Sequence, residues 1–418
     1  MYEQVSALTA LWHDGSALLT RLPEVAMRAH APYYQIHRTL LDHFPHLRPA
    51  YAHGLALWVY GTLLAHSACE SAVLAALAPV GERETLRQRL RDLFRASADK
   101  RVPCQGDWDI TLCFAPLLRW ILSWWHGADL AFALDATTHG DRVVVLAISV
   151  LYRGTALPVA WQILPANQEG EWTPHWLRLL ALLTPAIPAA MTVVAFTDRG
   201  LWSPRLWRVI RAAGWHPVMR IRTDCTVAPT GAPRQLARLL IAGPGHAWVG
   251  RGVAFKPERR QAGTLVVVWE EGHAAPWVLL TDLAPTAVGV VWYGLRVWVE
   301  LGFKALKSLG WQWQQTQRTD PDRVARHWLV LAIATLWTVA VGTRVEEATA
   351  RAICPTRFWR PPRQPGAALR TVSLFTQGWG WLVRQVVCGR LWRHLWLLPE
   401  PWPTPPIDLT IWYHGAPA

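Results

Sequence analysis

The sequence predicts an α/β fold built on a mixed sheet. Three observations lead there. Hydrophobic, partly β-branched runs at 130–134, 143–150 and 157–164 are short and bounded by turn residues, which is strand patterning. Further strand-like runs at 192–197 and 216–221 then alternate with helical patterns at 176–183 and 201–213. From about 223 to 287 the alternation breaks into more strand-like runs between Gly and Pro turns, at 247–255, 264–270 and 277–281. Three meandering strands and then helix–strand alternation make a mixed α/β sheet, interrupted by a β-rich insertion at about 223–287.

Residues 1–125 read as a helical N-terminal domain. Within it, 74–77, a break at Pro79, Val80 and Gly81, and then 82–94 resemble two helices joined by a tight turn. The second carries Arg83, Arg87, Arg89, Arg91 and Arg95, which read either as a solvated face or as a helix-turn-helix-like unit meeting a nucleic-acid backbone. Asp107 and Asp109 read as caps or surface. Tyr152, Arg153, Gly154 and Thr155 join the second and third strands as a hairpin. Ser203 and Pro204 suit a helix start. A helical pattern returns at 288–308, and a long helix is expected at about 322–347. The tail from 355 is rich in Pro, Arg and Trp.

Composition narrows the partners. The chain has 418 residues, enough for two or three domains, and a net charge of +13, which calls for an anionic partner. Only Lys100, Lys256, Lys304 and Lys307 are lysines, and two of them share one short segment. The six cysteines are scattered with no C-x-x-C pair, which argues against a zinc knuckle or disulfide framework. The N-terminus lacks a basic n-region, so no signal peptide is expected. Mean hydropathy of +0.12 and the apolar run 328–342 raise a membrane-associated alternative. That run is short for a bilayer and is closed in by Arg326, Arg344 and Glu346, so a buried helix and no membrane are expected. Most of the 28 tryptophans are expected in the core.

The chemistry concentrates in two places. In the helical segment 293–307, Tyr293, Arg296, Glu300, Lys304 and Lys307 fall at i, i+3, i+7, i+11 and i+14 and form one polar stripe. Upstream, Asp135 and Asp198 each end or follow a hydrophobic strand. Phosphodiester cleavage needs an activated oxygen nucleophile and relief of charge on the leaving oxygen, and two carboxylate-held divalent ions supply both. Singly, each acid has an ordinary explanation: a turn or cap for the aspartates, an ion pair with Arg296 or Lys304 for Glu300. Together they describe a metal site that handles phosphate.

Tyr293, Arg296, Glu300 and Lys307 match Y-x2-R-x3-E-x6-K, and this resembles the signature of bacterial DDE transposases of insertion-sequence family four. The segments around Leu134, Asp135 and Thr137, and from Phe196 to Gly200, resemble that family's two aspartate segments. The stretch from Thr316 to Arg323 resembles the segment that comes after the family's glutamate helix. The resemblance covers about 130–345. It implies a ribonuclease H-like catalytic domain over 126–345, with Asp135, Asp198 and Glu300 as catalytic metal ligands. They would hold Mg2+, or Mn2+ in its place, as two ions about 3.5–4 Å apart. It places Tyr293, Arg296 and Lys307 on the terminal phosphates of double-stranded transposon ends. Lys304 and Arg199 are further candidate DNA contacts, and Trp269 or Trp277 could meet a flipped base. Inverted repeats and target DNA are the implied partners, with a homodimer in the DNA complex, a hairpin intermediate, and the bacterial cytoplasm and nucleoid as location. The region 1–125 is expected to bind DNA, and 346–418 to be a helical region for dimerisation or DNA contact. The alternative is a catalytically silent, transposase-derived DNA-binding regulator. Under the functional reading of the stripe, Arg296→Ala and Lys307→Ala should fold normally.

On this reading duplex affinity should fall steeply between about 50 and 200 mM salt, because cations that neutralise phosphates release condensed counterions. An affinity nearly flat over that range in a titration against labelled duplex would point to a protein or lipid partner.

Overall fold

One mixed sheet of eleven strands runs through the protein. The computed structural model describes residues 32–95, 108–166, 171–353, 372–388 and 395–414. Helices α1 (32–43), α2 (Pro49–Ala65), α3 (Glu70–Ala76), α4 (Arg83–Phe94) and α5 (Phe114–Ser123) precede the sheet. The helical reading of this region holds where it is described. Asp107 lies outside the described residues, and Asp109 caps a short 3-10 turn by accepting from Thr111 N at 2.9 Å. In α4 the spacing of Leu86, Leu90, Leu93 and Phe94 buries one face, and the Glu82 carboxylate caps the start by accepting from Glu84 N and Thr85 N.

The sheet begins with β1 (Asp129–His139), β2 (Val143–Tyr152) and β3 (Thr155–Pro165), an antiparallel meander. Arg153 and Gly154, both at positive φ, make the tight β2–β3 turn. Helix α6 (Thr173–Leu183) leads to β4 (Thr192–Thr197), and α7 (Pro204–Ala212), capped by the Ser203 hydroxyl, leads to β5 (His216–Ile221). β4 lies parallel to β1, and β5 parallel to β4.

The β-rich stretch contains β6 (Thr226–Pro229), β7 (Gln235–Leu236), β8 (His246–Ala254), β9 (Gln261–Trp269) and β10 (Trp277–Thr281). It extends the same sheet: β10 pairs antiparallel with β5, and the order is β3-β2-β1-β4-β5-β10-β9-β8-β6-β7. A 3-10 turn (Trp292–Arg296) runs into α8 (Val297–Leu306), and α9 (Pro321–Ile353) comes next. The tail is not helical throughout: after α10 (Leu374–Val387) it forms β11 (Thr410–His414), which pairs parallel with β8. Sequence reading missed β6, β7 and β11 because two to five residues carry too little alternation to register.

One strand differs in extent from its sequence reading. The apolar run ends at Leu134, yet β1 continues to His139, paired with β2 down to His139–Val143. The extra residues Ala136, Thr137, Thr138 and His139 are held by the hairpin ladder rather than by apolar burial. Asp135 therefore lies inside a strand.

α9 is long and apolar enough to cross a bilayer, but 89% of its apolar window is buried inside the fold. It packs on β3, α2, α4 and α10. Its threonines satisfy their hydroxyls within the helix: Thr335 on Leu331 O, Thr338 on Ala334 O and Thr343 on Val339 O. Nine tryptophans, among them Trp58, Trp161, Trp328 and Trp337, are the largest fully buried side chains, as expected of core.

His327 of α9 sits between Trp58 and Phe94, with each ring centre 5.2 Å away. It is fully buried, and neither ring nitrogen has a hydrogen-bond partner among the described residues. Burial holds its pKa well below 6.5, so the folded protein keeps it neutral. The unfolded chain protonates first, so this contribution is intact above pH 6.5 and is lost as pH falls below it. His327 should therefore make the fold less stable as pH falls below 6.5. His327→Phe should flatten the acid side of a melting-temperature profile between about pH 7.5 and 5.5. An unchanged profile would assign the acid sensitivity to other groups.

Candidate active site at the end of the parallel strand pair

Strand register brings the two aspartates together. Leu134 and Thr197 form the last pair of the parallel β1–β4 ladder, so the next residue on each strand, Asp135 and Asp198, emerges at the same end. α8 lies across β3, β2 and β1 and presents Glu300 in its first turn. It approaches closely because Gly302 leaves no side chain there: a Cβ would sit 2.8 Å from the Ala156 Cβ and 3.0 Å from its backbone N and O.

The arrangement centres on Arg296. Its Nη2 lies 3.0 Å from Asp135 Oδ2 and its Nη1 3.3 Å from Glu300 Oε1. The Arg296 and Asp135 side chains are only 12% and 18% exposed, against 56% for Glu300. Asp198 is held separately: Arg220 Nη1 lies 3.5 Å from its Oδ1, and the Tyr293 hydroxyl donates to it at 3.4 Å. Lys307 Nζ donates to Thr137 Oγ1 and to Thr138 O, both at 2.7 Å.

Burial raises the Asp135 pKa, the Arg296 charge pulls it back, and the charges of Asp198 and Glu300 push it up again. Asp198 also feels burial, but the Arg199 backbone N–H and the guanidiniums of Arg296 and Arg220 outweigh it and leave the carboxyl below its usual range. Burial raises the Tyr293 phenol and lowers the Lys307 ammonium. Arg296 is itself penalised by burial, yet the surrounding acids hold its pKa above the usual value.

The structure thus gathers Tyr293, Arg296, Glu300 and Lys307 with the two aspartates. Lys304 and Arg199 are exposed and make no side-chain ion pair among the described residues. The stripe differs from its sequence reading in two respects: it is not one helix face, since Tyr293 and Arg296 lie in the 3-10 turn and Lys307 stands at the end of α8, and Arg296 and Lys307 are engaged by the chain's own groups, so they serve the fold as well. Among the described residues no three Asp, Glu, His or Cys side chains stand grouped as a ready ligand set for a metal. The guanidinium stands among the carboxylates, because clustered, partly desolvated acids need a counter-charge. The donors are still of the right kind for Mg2+ or Mn2+, which take hard carboxylate oxygens. One movement of Arg296 would release Asp135 Oδ2 and Glu300 Oε1 together.

Sequence reasoning missed Arg220 and Thr138, and gave Thr137 no role beyond its place in the aspartate segment. Arg220 interrupts the buried pattern of β5 with a charge, a signal that was available. The two threonines become partners of Lys307 only because β1 continues past Asp135. Of the tryptophans considered for a base, Trp277 packs its ring 5.3 Å from Tyr293 and is half-buried, whereas Trp269 donates to His273 O.

Residues 135–337 match the family model described as the transposase DDE domain. The match opens on Asp135 and contains Asp198, Tyr293, Arg296, Glu300 and Lys307, and it supports a DDE transposase. No curated protein matches the chain. Among solved structures, the piggyBac transposase synaptic complex with hairpin DNA is similar over 78% of this chain and 80% of that chain, with a TM-score of 0.38 and 11% identity.

Arg296→Ala should leave Asp135 without its counter-charge. The expected loss is about 2 kcal/mol, less than the ~3–5 kcal/mol of a fully buried pair because both groups are partly exposed. Adding Asp135→Asn should recover most of it, since the uncompensated charge is then gone. A single variant that melts like the parent would show that the pair does not support the fold.

Proposed function

We propose that this chain is a metal-dependent DDE transposase that cuts an insertion sequence out of DNA at its terminal inverted repeats and joins it elsewhere. One observation carries the reading: Asp135 and Asp198 emerge side by side from a parallel strand pair, and Glu300, on the helix packed over that sheet, is joined to Asp135 through Arg296. The mixed sheet, with helices against it and a β-rich stretch before α8, is the arrangement a ribonuclease H-like core would have.

In this reading Asp135, Asp198 and Glu300 hold divalent ions, two of Mg2+ by preference. Such ions supply a nucleophile at neutral pH and charge relief on the leaving oxygen. The chain's residues do the rest. Arg296 exchanges its carboxylate partners for a phosphate, and its buried Nε, which has no partner among the described residues, is a further donor for it. Lys307 steadies the same strand, and Lys304 and Arg199 meet it from the exposed rim. A water oxygen attacks the phosphorus at the element's end and gives up its proton, the bond to the 3′ oxygen breaks and that oxygen takes up a proton, and the freed 3′ hydroxyl then attacks the phosphorus of a second phosphodiester, whose own 3′ oxygen leaves as a hydroxyl. When that second bond lies on the complementary strand, a hairpin end results. There Trp277, already beside Tyr293, is the better placed of the two tryptophans to stack on an unpaired base.

Residues 1–125 would read the duplex, 126–345 would cut it, and 346–418 would help to pair two copies on the two ends in the bacterial nucleoid. Glu300→Ala should lower Mg2+-dependent nicking of duplexes carrying the element's ends by about 10²–10³-fold, the scale of removing one transition-state charge stabiliser. Duplex affinity should change little, since phosphate-bound cations supply most of it. A parent protein that binds ends tightly but never nicks them with Mg2+ or Mn2+ would instead mark the silent regulator.

A further inference from the structure

Away from the carboxylates, a cavity of about 650 Å³ opens between α3, α4 and the segment that leads into α9. Its lining is strongly cationic. Arg83, Arg87 and Arg91 come from one face of α4, at i, i+4 and i+8, and Arg318 and Arg323 come from the opposite wall. Against these five arginines stand Glu70 and Asp320, so the lining carries 5 − 2 = +3. Both acids are already committed. Glu70 divides its carboxylate between Arg91 at 2.8 Å and Arg318 at 3.8 Å, and Asp320 accepts from Arg323 N at the start of α9.

The cleft is built rather than incidental. Arg318 is 19% exposed and lies over the Phe94 ring, 4.0 Å from its centre. Burial, with Arg323 and Arg91 adding to it against Glu70, brings its pKa down to about 10. The wall is also tied to the catalytic strand. Arg142, in the β1–β2 turn, donates to Thr316 O at 3.0 Å and to Gln317 Oε1 at 3.2 Å, while Lys307 holds Thr137 and Thr138 on β1.

We infer that this arginine cleft binds phosphodiester groups of the duplex outside the cut site, so that α4 and the segment before α9 grip the DNA together. The inference rests on the transposase reading. Neighbouring arginines with little competing acid suit the regularly spaced phosphates of a nucleic-acid backbone, which arginine holds bidentately. The tie through Arg142 couples that grip to the strand that carries Asp135.

The test uses the full-length chain and a labelled duplex of about 30 base pairs, with affinity measured against KCl concentration. Arg83 is exposed and makes no ion pair among the described residues, and Arg87 pairs only with the exposed Glu84, so the double variant Arg83→Ala/Arg87→Ala should melt like the parent. It should weaken binding and reduce the slope of log affinity against log salt by about 1.8, or 0.9 per lost phosphate contact. Arg119→Ala/Arg178→Ala removes the same charge from α5 and α6 and should leave the slope nearly unchanged. An equal fall in both double variants would reduce the effect to net charge and overturn the inference. So would an unchanged slope in Arg83→Ala/Arg87→Ala, or saturation of the cleft by a free nucleotide with duplex binding unaffected. A parent chain that binds no duplex removes the transposase reading and the cleft with it, whereas Glu300→Ala with a parental slope and no nicking keeps that reading whatever the cleft variants do.

Discussion

The ion pair between Arg296 and Asp135 is the contact on which the site depends. Three carboxylates close enough to feel one another's charge would repel in a partly desolvated place. A single guanidinium, itself mostly buried, bridges Asp135 and Glu300 and lends charge to Asp198 as well. Each partner needs the other: Arg296 would otherwise be a cation short of water, and Asp135 an anion short of it. The same contact sets a condition on any chemistry there, because acids held by an arginine have to be released before they can hold something else.

Geometry upstream of that pair is set by backbone rather than by charge. The parallel β1–β4 ladder ends at Leu134 and Thr197, and that register alone aligns Asp135 with Asp198. A slip of one residue would turn either side chain to the other face of the sheet. Gly302 lets α8 settle close to Ala156 and sets the height at which Glu300 meets the strands. Tyr293 and Arg220 then fix Asp198 from two sides. Asp135 thus sits within β1 and Glu300 within α8, Asp198 follows directly on β4, and Arg296 stands at the junction of a 3-10 turn and an α-helix.

The N-terminal helices share their packing with the long helix α9. Trp58 donates to Leu90 O and packs its ring at a tilt against His327, and Arg326 donates to Phe94 O. α9 in turn accepts a hydrogen bond from the β3 indole of Trp161 at Ala325 O. α9 thus connects α4 to the sheet that bears the aspartates. The basic α4 and the acidic site are joined in this way without adjoining in sequence.

The sequence by itself determined the mixed α/β class, the meander, the alternation after it and the polar residues of 293–307, because these depend on local periodicity and on residue types a few positions apart. It also determined which acids to watch, since Y-x2-R-x3-E-x6-K is a local spacing. Tertiary structure decided what lies between those acids. That Arg296 faces Asp135, 161 positions earlier (296 − 135), comes from strand register and helix docking, which no window of neighbouring residues encodes. The extension of β1 past Asp135, the joining of the β-rich stretch to the main sheet through β5 and β10, the return of the tail as β11 beside β8, and the meeting of α4 with the 315–323 segment are likewise long-range pairings. Backbone ladders and buried charge are satisfied by whatever partner the fold brings near, and only the folded chain selects that partner.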